Sequence, residues 1–156
     1  MVPIDPAWMA REVVAMRRKL EESRGPTDLK RGSGGLADVE FLTQYLQLIH
    51  APTDGPAHPN VWEALDALTT AGRLAPDDGR DLLEAYEFLR TVEARLRVVH
   101  NRAAGDWPEK EDDLARLARR LGYDQVDPIQ AGASIRADAA RLAARTRALF
   151  ARYLGG

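Results

Sequence analysis

Residues 76–100, PDDGRDLLEAYEFLRTVEARLRVVH, limit most sharply what this chain can become. Within them Leu82, Tyr86, Leu89, Val92, Leu96 and Val99 recur at intervals of three and four with charged residues between them. That spacing returns to one side of a helix but scatters over both faces of a strand, so the stretch has a single apolar face only as a helix. Pro76 suits the first helical turn, and Asp77 and Asp78 complement the positive end of the helix dipole. A helix is therefore predicted from 76 to about 101, with Arg90, Glu93 and Arg97 spaced to form intrahelical ion pairs.

The same period recurs elsewhere. Trp8, Val13, Met16 and Leu20 form a stripe over residues 5 to 24, opened by Asp5 as cap and Pro6 as first helical residue, and closed by Gly25-Pro26. Leu36, Val39, Leu42, Leu46 and Ile49 define a second face ending near His50, after which Pro52, Gly55, Pro56 and Pro59 predict a rigid exposed connection. Asn60 is placed to cap a short helix through Trp62, Leu65 and Leu68 that Gly72 closes. KEDDLARLARRLGY reads as a further helix ending at Gly122, with Asp112 and Asp113 in its first turn. Asp127-Pro128 then opens a last, alanine-rich helix of about 25 residues whose inward positions are Ile135, Leu142, Leu149 and Phe150. No stretch alternates apolar and polar residues with β-branched enrichment. The predicted class is all-α, a single domain over residues 1–156 built as a bundle of five to six mostly antiparallel helices.

Bulk properties narrow the function. With no cysteine there is no disulfide framework, thiolate metal site or cysteine nucleophile. His50, His58 and His100 lack metal-binding spacing, so no metal site is expected. A net charge of −2 and a pI near 5.9 argue against nucleic acid as partner. No apolar run approaches the roughly 20 residues of a spanning helix, and MVPIDPAWMAREVV lacks a basic segment followed by an apolar one, so a cytoplasmic protein away from membranes is expected.

The chemistry-bearing stretch is DLKRGSGGLADVEFLTQYLQL, residues 28–48. Lys30 and Arg31 run into a turn carrying Gly32, Gly34 and Gly35, and Asp38 and Glu40 follow in the helix behind it. The Walker spacing is absent and no strand precedes the turn, which excludes a P-loop. A glycine turn at a helix start nevertheless presents unpaired N–H groups that suit an anion, and two cations beside it would help. Equally, glycine permits a tight reversal, and Asp38 complements the dipole without any ligand. Glu40, Gln44 and Gln47 fall on one side of the same helix, either as a solvated face or as a stripe offered to a partner.

Three blocks together resemble one family. Asp28, Lys30, Gly34, Gly35, Asp38, Glu40 and Phe41 look like its lysine, glycine-pair, acid and IEF-type segment. AYEFLRTVEARLR (85–97) is similar to its tyrosine-phenylalanine-leucine-arginine helix, and LARRLGY (117–123) to its glycine-tyrosine segment. The family is the helical domain that follows the nucleotidyltransferase domain in glutamine synthetase adenylyltransferase and, more distantly, in the uridylyltransferase of the PII signal protein. Ser33 departs from it, standing where members often carry proline or arginine.

The resemblance implies a helical accessory domain, either a piece of a longer chain or a free-standing relative, partnered in cis or in trans by a nucleotidyltransferase domain that uses ATP and Mg²⁺. It further implies contact with glutamine synthetase or PII, a place for Lys30, Arg31, Gly34 and Gly35 near the nucleotide phosphates, and a loop-ordering or partner-facing role for Asp38 and Glu40. The Asp-x-Asp metal pair that transfer requires is missing from this sequence, so the chain alone is expected to be inactive. A non-enzymatic helical module that binds a protein partner is the alternative.

Overall fold

A computed structural model describes residues 3–155, apart from 26, 101–104, 125 and 126 and the side chains of Val99 and His100. Among the described residues there are six helices: α1 (Pro6–Glu22), α2 (Leu36–Asp54), α3 (Val61–Thr70), α4 (Pro76–His100), α5 (Glu111–Arg120) and α6 (Pro128–Leu154). The all-α bundle expected from the periodicity is what forms, and no helix among the described residues is long and apolar enough to cross a membrane.

Capping residues sit where the sequence places them. Asp5 Oδ1 accepts the Ala7 N–H at 3.0 Å, Asn60 Oδ1 accepts those of Trp62 and Glu63, and Asp127 Oδ1 accepts that of Ile129. Each satisfies an amide that its helix leaves unpaired. The α4 seam is buried from Leu82 through Leu96, while the side chain of Val99 lies outside the described residues. Arg90 and Arg97 both reach Glu93, at 3.0 and 3.5 Å.

Two expectations fail. In α1 the stripe is misassigned: Trp8 and Met16 are half exposed or more, at 50% and 56%, and the buried positions are Ala10 and Arg17, with Met9, Val13 and Val14 packed behind them. Arg17 takes a core position because its ion partner, Asp38, is 21 residues away in sequence and buried with it. In α2 the helix runs through Pro52 to Asp54 and stops at Gly55 (φ 89°). Proline in a last turn removes one amide hydrogen bond without breaking the turns before it. The 55–60 connection is tied back by Gln47, whose Oε1 accepts the His58 N–H at 2.6 Å.

α2 lies at the centre, touching α1, α3, α4 and α6, while α5 packs on α4 and α6. Leu36, Val39 and Leu42 enter one core with Leu82, Val92, Ile135 and Leu149. Before α2, the segment 27–29 meets 105–107 in an isolated β-bridge, Asp28 opposite Asp106, with Leu29 N–H donating to the Gly105 carbonyl at 2.6 Å and Trp107 N–H to that of Thr27 at 3.1 Å. The glycine turn leaves this bridge and enters α2 against the flank of α6.

Candidate functional site

The turn is closed by its own atoms. Asp28 Oδ1 accepts the Lys30 and Arg31 N–H groups at 3.0 and 2.7 Å. Gly32 N–H donates to the Asp28 carbonyl, Gly35 N–H to that of Gly32, Leu36 N–H to that of Leu29, Ala37 N–H to that of Lys30 and Asp38 N–H to that of Gly35. Gly34 N–H donates to Asp38 Oδ2 at 2.6 Å. Between Lys30 and Asp38, only the Ser33 amide is without such a partner among the described residues. The amides that an anion cradle would need unpaired are therefore engaged, by carbonyls of the returning chain and by the Asp28 and Asp38 carboxylates.

Its glycines serve packing. Gly34 has φ 73°, and a Cβ there would lie 2.2 Å from the Ala143 carbonyl oxygen of α6. Only a residue without a side chain lets the turn seat on that helix. A Cβ on Gly35 would meet the Leu29 carbonyl at 2.7 Å.

Asp38 joins three helices to the turn. It is fully buried, and its Oδ1 receives Arg17 Nε from α1 at 2.6 Å and Arg147 Nη1 from α6 at 3.1 Å. Arg17 Nη2 donates to the Gly32 carbonyl at 2.7 Å, and Arg147 also pairs with Glu21 at 3.2 Å. A buried carboxylate that accepts this many donors has its desolvation offset by charge-assisted bonds. Glu40 is elsewhere: half-buried, it lines a hollow with Gln44, Gln47 and Tyr86 and bonds no turn residue. Lys30 is exposed, and its ammonium has no partner among the described residues. Arg31 is half-buried, with Nη1 at 3.5 Å from Ser23 Oγ. The structure thus brings Asp38, Gly34 and Gly35 together, with Lys30 exposed and Arg31 half-buried beside Ser23.

On the other flank lies a cavity of about 480 Å³ between the turn, Trp107 and α4–α6, lined by Ser33, Gly34 and Gly35 but by neither cation. Among the described residues no group of three or more His, Cys, Asp or Glu side chains could hold a metal.

A second buried carboxylate, Asp78, does more than complement the α4 dipole. It accepts the Tyr153 hydroxyl at 2.7 Å and pairs with Arg145 at 3.1 Å and Arg152 at 3.3 Å, anchoring the C-terminal turns of α6 to the start of α4. Burial, and then the bond to Asp78, raise the Tyr153 pKa.

The family model for GlnD PII-uridylyltransferase matches residues 9–154. The chain belongs to that family. Relatives include bifunctional glutamine synthetase adenylyltransferase/adenylyl-removing enzymes. That of Streptomyces coelicolor is 42% identical over 123 residues, covering 76% of this chain, and that of Stenotrophomonas maltophilia strain R551-3 is 40% identical over 124 residues, again 76%. The Mycolicibacterium smegmatis enzyme is 40% identical over 123 residues, 74% of this chain. The chain spans 12% of the length of each. It therefore matches a helical region of these adenylyltransferases, as the three sequence blocks implied.

Of the residues that hold this GlnD-family domain together, Arg17 and Arg147 do not stand out in the sequence, and Asp78 does so only as a first-turn acid. A signal existed for Arg17: it follows Ala10 and Val13 at the seven- and four-residue spacing of one helical face. Arg147 and Asp78 carried none of their pairing, since their partners are 109 and 67 or more residues away.

Proposed function

We propose that this domain is the helical accessory part of a glutamine synthetase adenylyltransferase-like enzyme, supporting transfer of AMP from ATP to a tyrosine of glutamine synthetase or its phosphorolytic removal. The observation that carries this reading is the 42% identity over 123 residues to an enzyme named for those two reactions. The chain supplies scaffold and charge. Asp38 orders the turn from behind, and the exposed Lys30, with Arg31 next to it in the turn, faces the phosphates once a nucleotidyltransferase domain closes over them. Fixed positive charge beside a transferring phosphoryl group stabilises the charge that develops there. Asp38 is not free to hold magnesium, because its carboxylate already accepts from two guanidinium groups and an amide. The metal-binding acids belong to the nucleotidyltransferase domain, and glutamine synthetase or PII is the partner of the assembled protein.

One observation favours a second reading, a pure interaction module in which the turn is only a hinge: nearly all its amides are engaged internally. Titration with Mg·ATP at millimolar concentration, of the chain joined to its nucleotidyltransferase domain, separates the two. Shifts in the amide signals of residues 30–36, abolished by Lys30→Ala, are expected from the first reading, and no response from the second.

A further inference from the structure

The cavity beside the glycine turn has a lining that the role proposed for the turn does not use. Its volume of about 480 Å³ lies within the roughly 300–1,000 Å³ of small-molecule sites. Leu29, Leu89, Leu114 and Leu142, all buried, give it an apolar floor. Trp107, half-buried, forms an aromatic wall and is braced by Phe88, with ring centroids 6.2 Å apart.

Three charged groups complete the lining. Asp28 uses Oδ1 to hold the turn, whereas its Oδ2 has no hydrogen-bond partner among the described residues. Glu109 is exposed and likewise unpaired among them. Arg136 borders this cavity and a neighbouring hollow of about 360 Å³, and has no ion-pair partner among the described residues. Two carboxylates with free acceptor oxygens beside an indole ring favour a positively charged nitrogen, because the carboxylates accept its N–H groups and the ring face attracts its charge. The leucines favour an apolar body attached to that nitrogen. With acids outnumbering bases in the lining, an anionic ligand is disfavoured, and the charge of Arg136 opposes an amine.

We propose that this cavity binds a small organic amine, its ammonium group at Asp28 and Glu109 and its apolar body against Trp107 and the leucine floor. The inference stands apart from the nucleotide reading, since neither Lys30 nor Arg31 lines the cavity.

The test is calorimetric titration of the whole chain at low salt with phenethylamine, phenethyl alcohol and hydrocinnamate, which share one body and differ in charge. The amine is expected to saturate at millimolar concentration or below and to bind about tenfold more tightly than the other two. Glu109→Gln is expected to weaken the amine about fivefold, whereas Arg136→Met, which removes a like charge, should strengthen it about threefold. Both variants alter exposed side chains, so folding should survive. Absence of saturation, equal binding of the three probes, or an amine affinity indifferent to both substitutions would each overturn the proposal.

Discussion

Arg17 Nε donates to Asp38 Oδ1 across 2.6 Å, and the two side chains are 1% and 0% exposed. The pair fixes α1 to the first turn of α2 at the point where Asp38 also holds the Gly34 amide. Burial makes the consequences of breaking it asymmetric. Asp38 keeps Arg147 and Gly34 if Arg17 is lost, whereas Arg17 keeps only the Gly32 carbonyl if Asp38 is lost.

Asp38→Ala is therefore expected to cost about 3–5 kcal/mol, because it strands a buried cation and a buried N–H group. Arg17→Met, which leaves the carboxylate partnered, should cost less. Urea denaturation of the two variants checks the order; equal or reversed losses would mean that the pair does not hold the turn.

Gly34 and Gly72 separate backbone strain from close approach. Both have positive φ, 73° and 76°, but a Cβ on Gly72 would meet nothing within 4 Å while one on Gly34 would meet the α6 backbone. Gly72→Ala should cost about 1–2 kcal/mol, the left-handed penalty alone. Gly34→Ala should add about 1–3 kcal/mol of overpacking and displace the turn from α6. Comparable losses in thermal or chemical denaturation would contradict the seating of the turn on Ala143.

Helices and caps were legible in the sequence because their causes are local: a period of three and four residues, and Asp5, Asn60 and Asp127 placed one residue before each start. The site was legible only in outline. Its glycine turn and acid stood out, but whether the amides of that turn were free depended on the carbonyls of Leu29 and Lys30 and on Asp38 folding back, a matter of three-dimensional closure. The α1 stripe failed for a related reason, since Arg17 is buried by a charge 21 residues away.

The four tyrosines give the domain a pH signature. Burial, the largest cause in each, raises the hydroxyl pKa of Tyr45, Tyr86, Tyr123 and Tyr153 above 10.0, and bonds to Asp138 and Asp78 raise Tyr123 and Tyr153 further. A folded pKa above the unfolded one contributes stability that is fully present below the unfolded value and is lost as pH rises through the folded value. Spectrophotometric titration should show less than half of the tyrosine ionised at pH 10.0 and then a rise coincident with loss of helical circular dichroism. Half-ionisation at pH 10.0 with the helices intact would contradict the burial and bonding described.

In the proposed function, this turn supplies positive charge to a phosphate site completed by a nucleotidyltransferase domain. Steady-state adenylylation of glutamine synthetase by a longer polypeptide carrying both domains, with Lys30 intact, Lys30→Ala and Lys30→Arg, tests it most directly. Alanine is expected to lower kcat/KM for ATP about tenfold or more while arginine retains most of it, with unchanged denaturation midpoints. Equal kcat/KM for all three enzymes would contradict it.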